Sequence, residues 1–122
     1  GVLPQFMFDH GLASKMADQI ILTKDLTERK NKIMNMADAF LALPGGFGTL
    51  DEVFHVVASA QVGYHNKKVV MYSINGFYDH IRLQMERAFD ERFTPIEYRG
   101  KLVVVDSLST CVNELCTKLS KI

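Results

Sequence analysis

Apolar positions along the 122 residues gather into short runs separated by longer mixed stretches. Residues 18–23 hold Ile20, Ile21 and Leu22, and residues 39–43 hold Ala39, Phe40, Leu41, Ala42 and Leu43. Residues 68–74 hold Val69, Val70, Met71, Tyr72 and Ile74, and the last run is Leu102, Val103, Val104 and Val105. Short continuous apolar runs of this kind predict strands of a parallel sheet covered on both faces. Gly1-Val2-Leu3-Pro4 reads as the end of a further strand entering a loop, and residues 5–18 as irregular. The stretches between predict helices. Asp25 with Glu28 forms a capping-box pattern ahead of a helix running to about Met36. Further helices are expected over 49–62, 78–91 and 108–119, with an Asn75-Gly76 turn closing the strand at 68–74.

Strands alternating with helices at this spacing predict an α/β fold, with crossover helices packed on both faces of a parallel sheet. About four strands, four helices and the stump at residue 1 form a short series. A doubly wound sheet usually has five or more strands and a glycine-rich turn after the first. No such first unit is visible, so residues 1–122 are expected to form a single domain that represents about the C-terminal two-thirds of a larger one.

Composition narrows the chemistry little. Apolar residues are 48% and charged residues 23%, ordinary for a globular chain. The 14 basic and 14 acidic residues cancel, so no global field favours nucleic acid or an anionic membrane, and neither is expected as a partner. No run approaches the roughly 20 apolar residues that span a bilayer, and no signal-peptide pattern opens the chain. Cys111 and Cys116, five apart on an expected helix, fall on different faces. They read as reduced residues of a cytoplasmic protein rather than as a disulfide or metal clip. His10, His55, His65 and His80 lack metal-ligand spacing and are expected at the surface or an interface; no metal and no cofactor is expected. The six methionines read as core filler.

Any anion must therefore be held locally, and Pro44-Gly45-Gly46-Phe47-Gly48-Thr49 is the candidate. The segment follows a buried strand and opens a helix, the place where parallel sheets bind ligands. Glycines let main-chain N–H groups approach a ligand, and a helix start adds donors and a positive dipole end. Thr49 adds a hydroxyl. The loop lacks the Gly-Lys-Ser/Thr ending of a triphosphate P-loop, and Asp51 stands where the dinucleotide fingerprint needs its third glycine. A phosphate or phosphorylated sugar is the expected guest; a plain tight turn is the bland alternative.

Two charged residues occupy apolar surroundings. Glu52 lies in the expected first turn of the helix over 49–62, which is apolar nearly all round apart from His55, Ser59 and Gln61. Part of that helix is expected to be covered by the sheet and the rest by a partner subunit. Asp51 already serves the helix dipole, so Glu52 is expected to face a ligand. Arg29 falls in a stripe with Leu26, Ile33 and Met36. An arginine there needs an anionic partner, whether an internal salt bridge or a ligand at the strand-end crevice.

Thr27-Glu28-Arg29-Lys30, together with residues 37–52 ending in Pro44-Gly45-Gly46-Phe47-Gly48-Thr49-Leu50-Asp51-Glu52, resembles the LONELY GUY family. These are cytokinin riboside 5′-monophosphate phosphoribohydrolases, long mislabelled as lysine decarboxylases. Residues 60–68, Asn75-Gly76-Phe77-Tyr78 and Gly1-Val2-Leu3-Pro4 are also similar to family segments, so the likeness spans about residues 1–95. The resemblance implies a Rossmann-like sheet and an active site at a homodimer interface near the 49–62 helix. It implies Arg29 and Glu52 as the catalytic pair, Gly45, Gly46, Gly48 and Thr49 as the phosphate loop, and Lys30 as a neighbouring substrate-binding cation. The implied activity is hydrolysis of the N-glycosidic bond of a nucleoside 5′-monophosphate, without a cofactor. A non-catalytic nucleotide or molybdenum-cofactor carrier of the same fold is the rival reading. Nothing in the chain resembles a pyridoxal-phosphate lysine site. The family's Met-His before Glu-Arg-Lys is here Leu26-Thr27, its Trp before Ala-Gln is Ser59, and an acidic loop residue is Gly11. These departures bear on base recognition more than on the chemistry.

Overall fold

The structure, a computed structural model, describes residues 1–117. It divides into two compact units, Gly1–Ala37 and Asp38–Ile122. In the first, β1 (Val2–Pro4) pairs in parallel with β2 (Ile21–Thr23), in the register Val2 to Ile21, Leu3 to Leu22 and Pro4 to Thr23. A short helix α1 (Gln5–Asp9) follows β1 where an irregular segment was expected, and α2 (Leu26–Met36) follows β2. The Asp25 cap forms as expected, with the Glu28 N–H donating to Asp25 Oδ1 at 2.7 Å. Glu28 reaches back one residue further than a capping box requires, accepting from the Lys24 N–H at 2.7 Å. The first contact satisfies a donor that a helix start would otherwise leave open, and the second holds the residue before the cap.

The second unit runs β3 (Phe40–Ala42), α3 (Phe47–Gln61), β4 (Val69–Tyr72), α4 (Asp79–Asp90), β5 (Leu102–Val105) and α5 (Leu108–Cys116). Its three strands lie parallel in the order β3-β4-β5, with Val69 opposite both Phe40 and Leu102. Strand periodicity sorts the side chains. Val69 and Met71 join Ala42, Val53, Val56 and Tyr78 in a cluster under α3 and the start of α4. Val70, between them, turns to the other face and packs with Val105 and Cys111 of α5. Helices therefore cover both faces, and β4 is buried from Val69 to Met71 with Tyr72 half-buried, which is why its sequence shows no polar alternation. The fold is α/β, Rossmann-like, with parallel strands flanked by helices.

Cys111 is buried and Cys116 exposed, on different faces of α5 as expected, and both are free thiols. The expected helix over 108–119 extends beyond the described residues. Among those described, no helix is long and apolar enough to cross a membrane. At the amino-terminal edge of the sheet, Lys68 is buried and its Nζ lies 2.6 Å from Glu114 Oε2 on α5.

Candidate active site

The turn from β3 into α3 carries most of the candidate residues, and α3 begins two residues earlier than expected, at Phe47. Gly46 is the N-cap, in extended conformation, and no side chain caps the helix. The first intrahelical bond of the turn is the Leu50 N–H to the Gly46 carbonyl, at 3.1 Å. A helix leaves its earliest N–H groups without intrahelical acceptors, here those of Phe47, Gly48 and Thr49. The first turn contains no acidic residue to balance the dipole. This helix start is thus uncapped and positive, as an anion site requires.

Each glycine contributes differently. A Cβ on Gly45 would collide with Thr49 Oγ1 and lie 2.9 Å from Thr49 Cβ, so the loop folds back on its own helix only because Gly45 has no side chain. Nothing lies within 4 Å of the positions a Cβ would take on Gly46 and Gly48, so the space above the uncapped amides is open. Phe47, between them, is 93% exposed.

The earlier start moves Glu52 from the expected first turn to the sixth helical position. A dipole role is correspondingly weaker there, since that field falls off within the first turn. Helical side chains lean toward the N-terminus and cover the residues three and four before them. For Glu52 these are Thr49 and Gly48. Its carboxylate, half-buried, belongs to the loop's face of α3.

The chain brings Gly45, Gly46, Gly48, Thr49 and Glu52 together on this one loop and helix. Arg29 and Lys30 stand on α2 of the first unit, both half-buried. Arg29 Nε donates to the Val2 carbonyl at 2.7 Å, which ties α2 to β1 across 27 residues. The expected apolar stripe around Arg29 is corrected: Ile33 is half-buried, but Leu26 and Met36 are 52% and 59% exposed. An 11-residue helix beside a two-stranded sheet has too little apolar surface opposite it to cover the whole stripe. Helix α3 is covered by the sheet over part of its surface, as expected. Val53, Val56, Ser59 and Ala60 are buried, whereas Ala58 is exposed and Val62, just past the helix, is 69% exposed.

The histidines divide. His10 and His80 are exposed as expected. His55 and His65 are partly buried, and His55 Nε2 makes no hydrogen bond among the described residues. His65 Nδ1 accepts from the Lys67 N–H at 3.1 Å. Burial, with Lys67 next to it, pushes the His65 pKa down, and the Val56 carbonyl opposes the shift. Among the described residues no group of three or more His, Cys, Asp or Glu side chains could hold a metal ion.

Sequence reasoning missed Tyr78. It is 1% exposed, and its hydroxyl donates to the Leu43 carbonyl at 2.6 Å, just before Pro44. Burial raises its pKa, and the Gly45 backbone opposes the rise. Its own N–H donates to Ser73 Oγ at 2.9 Å, and Ser73 Oγ donates to Asp79 Oδ1 at 3.1 Å. The Asn75-Gly76 turn signal marks this corner, where both residues adopt positive φ, but nothing local shows that Tyr78 reaches a segment 35 residues earlier.

Comparison with known proteins shows which family the chain belongs to. A family model described as possible lysine decarboxylase matches residues 1–115. The chain is similar to the probable cytokinin riboside 5′-monophosphate phosphoribohydrolase LOG4 of Oryza sativa subsp. japonica, 32% identical over 121 residues, covering 99% of this chain and 51% of the relative. It is also similar to the cytokinin riboside 5′-monophosphate phosphoribohydrolase LOG5 of Arabidopsis thaliana, at 31% identity over 94% of this chain and 50% of the relative. An enzyme of the same name from Mycobacterium tuberculosis is 36% identical over 88% of this chain and 58% of its own length. The chain spans about half the length of the curated relatives it matches.

Proposed function

Because the chain belongs to the family described as possible lysine decarboxylase, with relatives named as phosphoribohydrolases, we propose that it hydrolyses the N-glycosidic bond of a nucleoside 5′-monophosphate, cytokinin or adenosine. The observation that carries this reading is the uncapped start of α3 behind Pro44-Gly45-Gly46, with Glu52 on the same helical face. In this reading the Phe47, Gly48 and Thr49 amides and the Thr49 hydroxyl grip the 5′-phosphate, supported by Gly45 and Gly46. Arg29 and Lys30, on the first unit, are read as substrate-binding cations, Arg29 orienting the substrate near phosphate or ribose.

Cleavage passes through positive charge shared between ribose C1′ and the ring oxygen. The C1′–N bond breaks with its electron pair leaving on the base, which takes up a proton. Water adds its oxygen to C1′ and loses a proton. Glu52 stabilises the cationic sugar and draws the proton from the attacking water. The products are free base and ribose 5-phosphate, and no cofactor enters the balance. The protein is expected to act as a homodimer or higher assembly with α3 near the interface, a reading supported by the exposed apolar residues Phe47 and Ala58 on that helix and Val62 just past it.

The test is to incubate the protein with AMP, prenylated AMP and adenosine and separate the products by chromatography. Free base with an equal amount of ribose 5-phosphate, from the monophosphates and not from adenosine, is expected. Tight binding of the monophosphates without turnover would support a carrier instead and sink the enzymatic reading.

A further inference from the structure

We propose that Tyr78 is the positioning residue of the glycine loop, its buried hydroxyl holding the Leu43–Gly45 turn in the one conformation that presents the loop amides to a phosphate ester. The role rests on reading that loop as the phosphate site.

The loop needs an external fixture. Three glycines within four positions leave the backbone many alternatives, and binding a phosphate would have to cover the entropy of choosing one. Pro44 stiffens one residue but removes an N–H. The loop also draws no side-chain cap from its own helix. Tyr78 supplies what is missing. Its hydroxyl donates to the Leu43 carbonyl at 2.6 Å, immediately before Pro44.

The tyrosine is itself held from three directions. Its ring packs in the core cluster with Ala42, Val53, Val56 and Met71, and Phe77 meets it edge-on at 4.9 Å between centroids. Its N–H is bonded to Ser73 Oγ at 2.9 Å, and the Ser73 N–H donates to the Val105 carbonyl of β5 at 2.7 Å. The hydroxyl is therefore referenced to the sheet and not to the loop backbone it supports. Preorganised donors bind more tightly because their ordering precedes the ligand.

The experiment compares the protein with its Tyr78→Phe variant, which keeps the ring and removes only the hydroxyl. Amide exchange at Gly45, Gly46 and Gly48 is read by NMR, inorganic phosphate affinity by titration, and kcat and KM with AMP. Expected results are exchange at Gly45 faster by about tenfold or more, phosphate binding weaker by about tenfold, and a rise in KM larger than any fall in kcat, the scale of one lost hydrogen bond. Exchange in β4 should be unchanged, which a general loss of stability would not allow. Should Tyr78→Phe fail to fold, Ser73→Ala, which leaves the phenol in place but loosens its backbone, is expected to speed Gly45 exchange in the same direction. Gly45 exchange and phosphate affinity within twofold of the parent in a folded Tyr78→Phe would overturn the proposal, as would unchanged Gly45 exchange in Ser73→Ala. If the parent itself binds no phosphate, the reading of the loop has failed, and Gly45 exchange alone decides whether Tyr78 positions it.

Discussion

Gly45 and Thr49 occupy the same small volume: the Thr49 side chain folds back over Gly45, and a Cβ at position 45 would sit 2.9 Å from Thr49 Cβ and 3.3 Å from Cγ2. The contact joins the last residues of the loop to the first turn of α3 and sets how closely the chain turns there. Gly45→Ala is expected to cost about 1–3 kcal/mol through overpacking. Adding Thr49→Ala should return part of that cost, because two of the crowded atoms are removed. A double-mutant cycle in urea measures the coupling, and strictly additive effects would show that the contact does not constrain the loop.

The Asp25 cap should be separable from the site chemistry. Asp25→Ala removes the acceptor of the Glu28 N–H and is expected to cost about 1 kcal/mol, measured as faster amide exchange in the first turn of α2. Asp25→Ser should recover most of it.

Lys68 and Glu114 form an ion pair whose side chains are 9% and 34% exposed. Glu114→Gln leaves the buried ammonium without its counter-charge and is expected to lower stability by about 1–3 kcal/mol, below the cost of a fully buried pair because Glu114 is partly solvated. Lys68→Met with Glu114→Gln should be closer to the parent than Glu114→Gln alone. The urea midpoints of the two variants decide the order.

Stability should fall in mild acid through His65. Burial and the positive charge of Lys67 depress its folded pKa, with smaller contributions from Lys101 and His55 in the same direction and opposition from the Val56 carbonyl. A histidine in the unfolded chain takes its proton near about 6.5, whereas the folded one resists until lower pH. The unfolded state then binds more protons, so stability is full above about pH 6.5 and is lost as pH drops below it. His65→Asn keeps an acceptor for the Lys67 N–H and removes the titration. Its urea midpoint should vary less between about pH 5 and 7.5 than the parent's; equal slopes would contradict the assignment.

The elements written in a local pattern were legible in the sequence. The apolar runs gave the parallel strands, Asp25 with Glu28 gave a helix start, and Pro44-Gly45-Gly46-Phe47-Gly48-Thr49 gave the loop at the right end of a strand. Boundaries failed where propensity and packing disagree. Phe47-Gly48 reads as loop because glycine disfavours a helix interior, yet α3 begins there, which carries Glu52 into the second turn. The stripe on α2 is only partly inward, because periodicity shows which residues share a face and not how much surface is available to cover it. Tyr78 was invisible because its hydroxyl acts on a carbonyl far away in sequence, and hydrogen bonds between distant residues leave no local spacing to detect.

Glu52, carried by the helix that the glycine loop opens, is proposed to drive hydrolysis of a phosphate-anchored glycosidic bond. The most direct measurement is the single-turnover rate of base release from AMP by the protein and by Glu52→Gln, each at saturating substrate. Loss of one acid–base group predicts a fall of about 10²–10⁴-fold with little change in phosphate affinity. An unchanged rate in Glu52→Gln, or no base released by the parent, would contradict it.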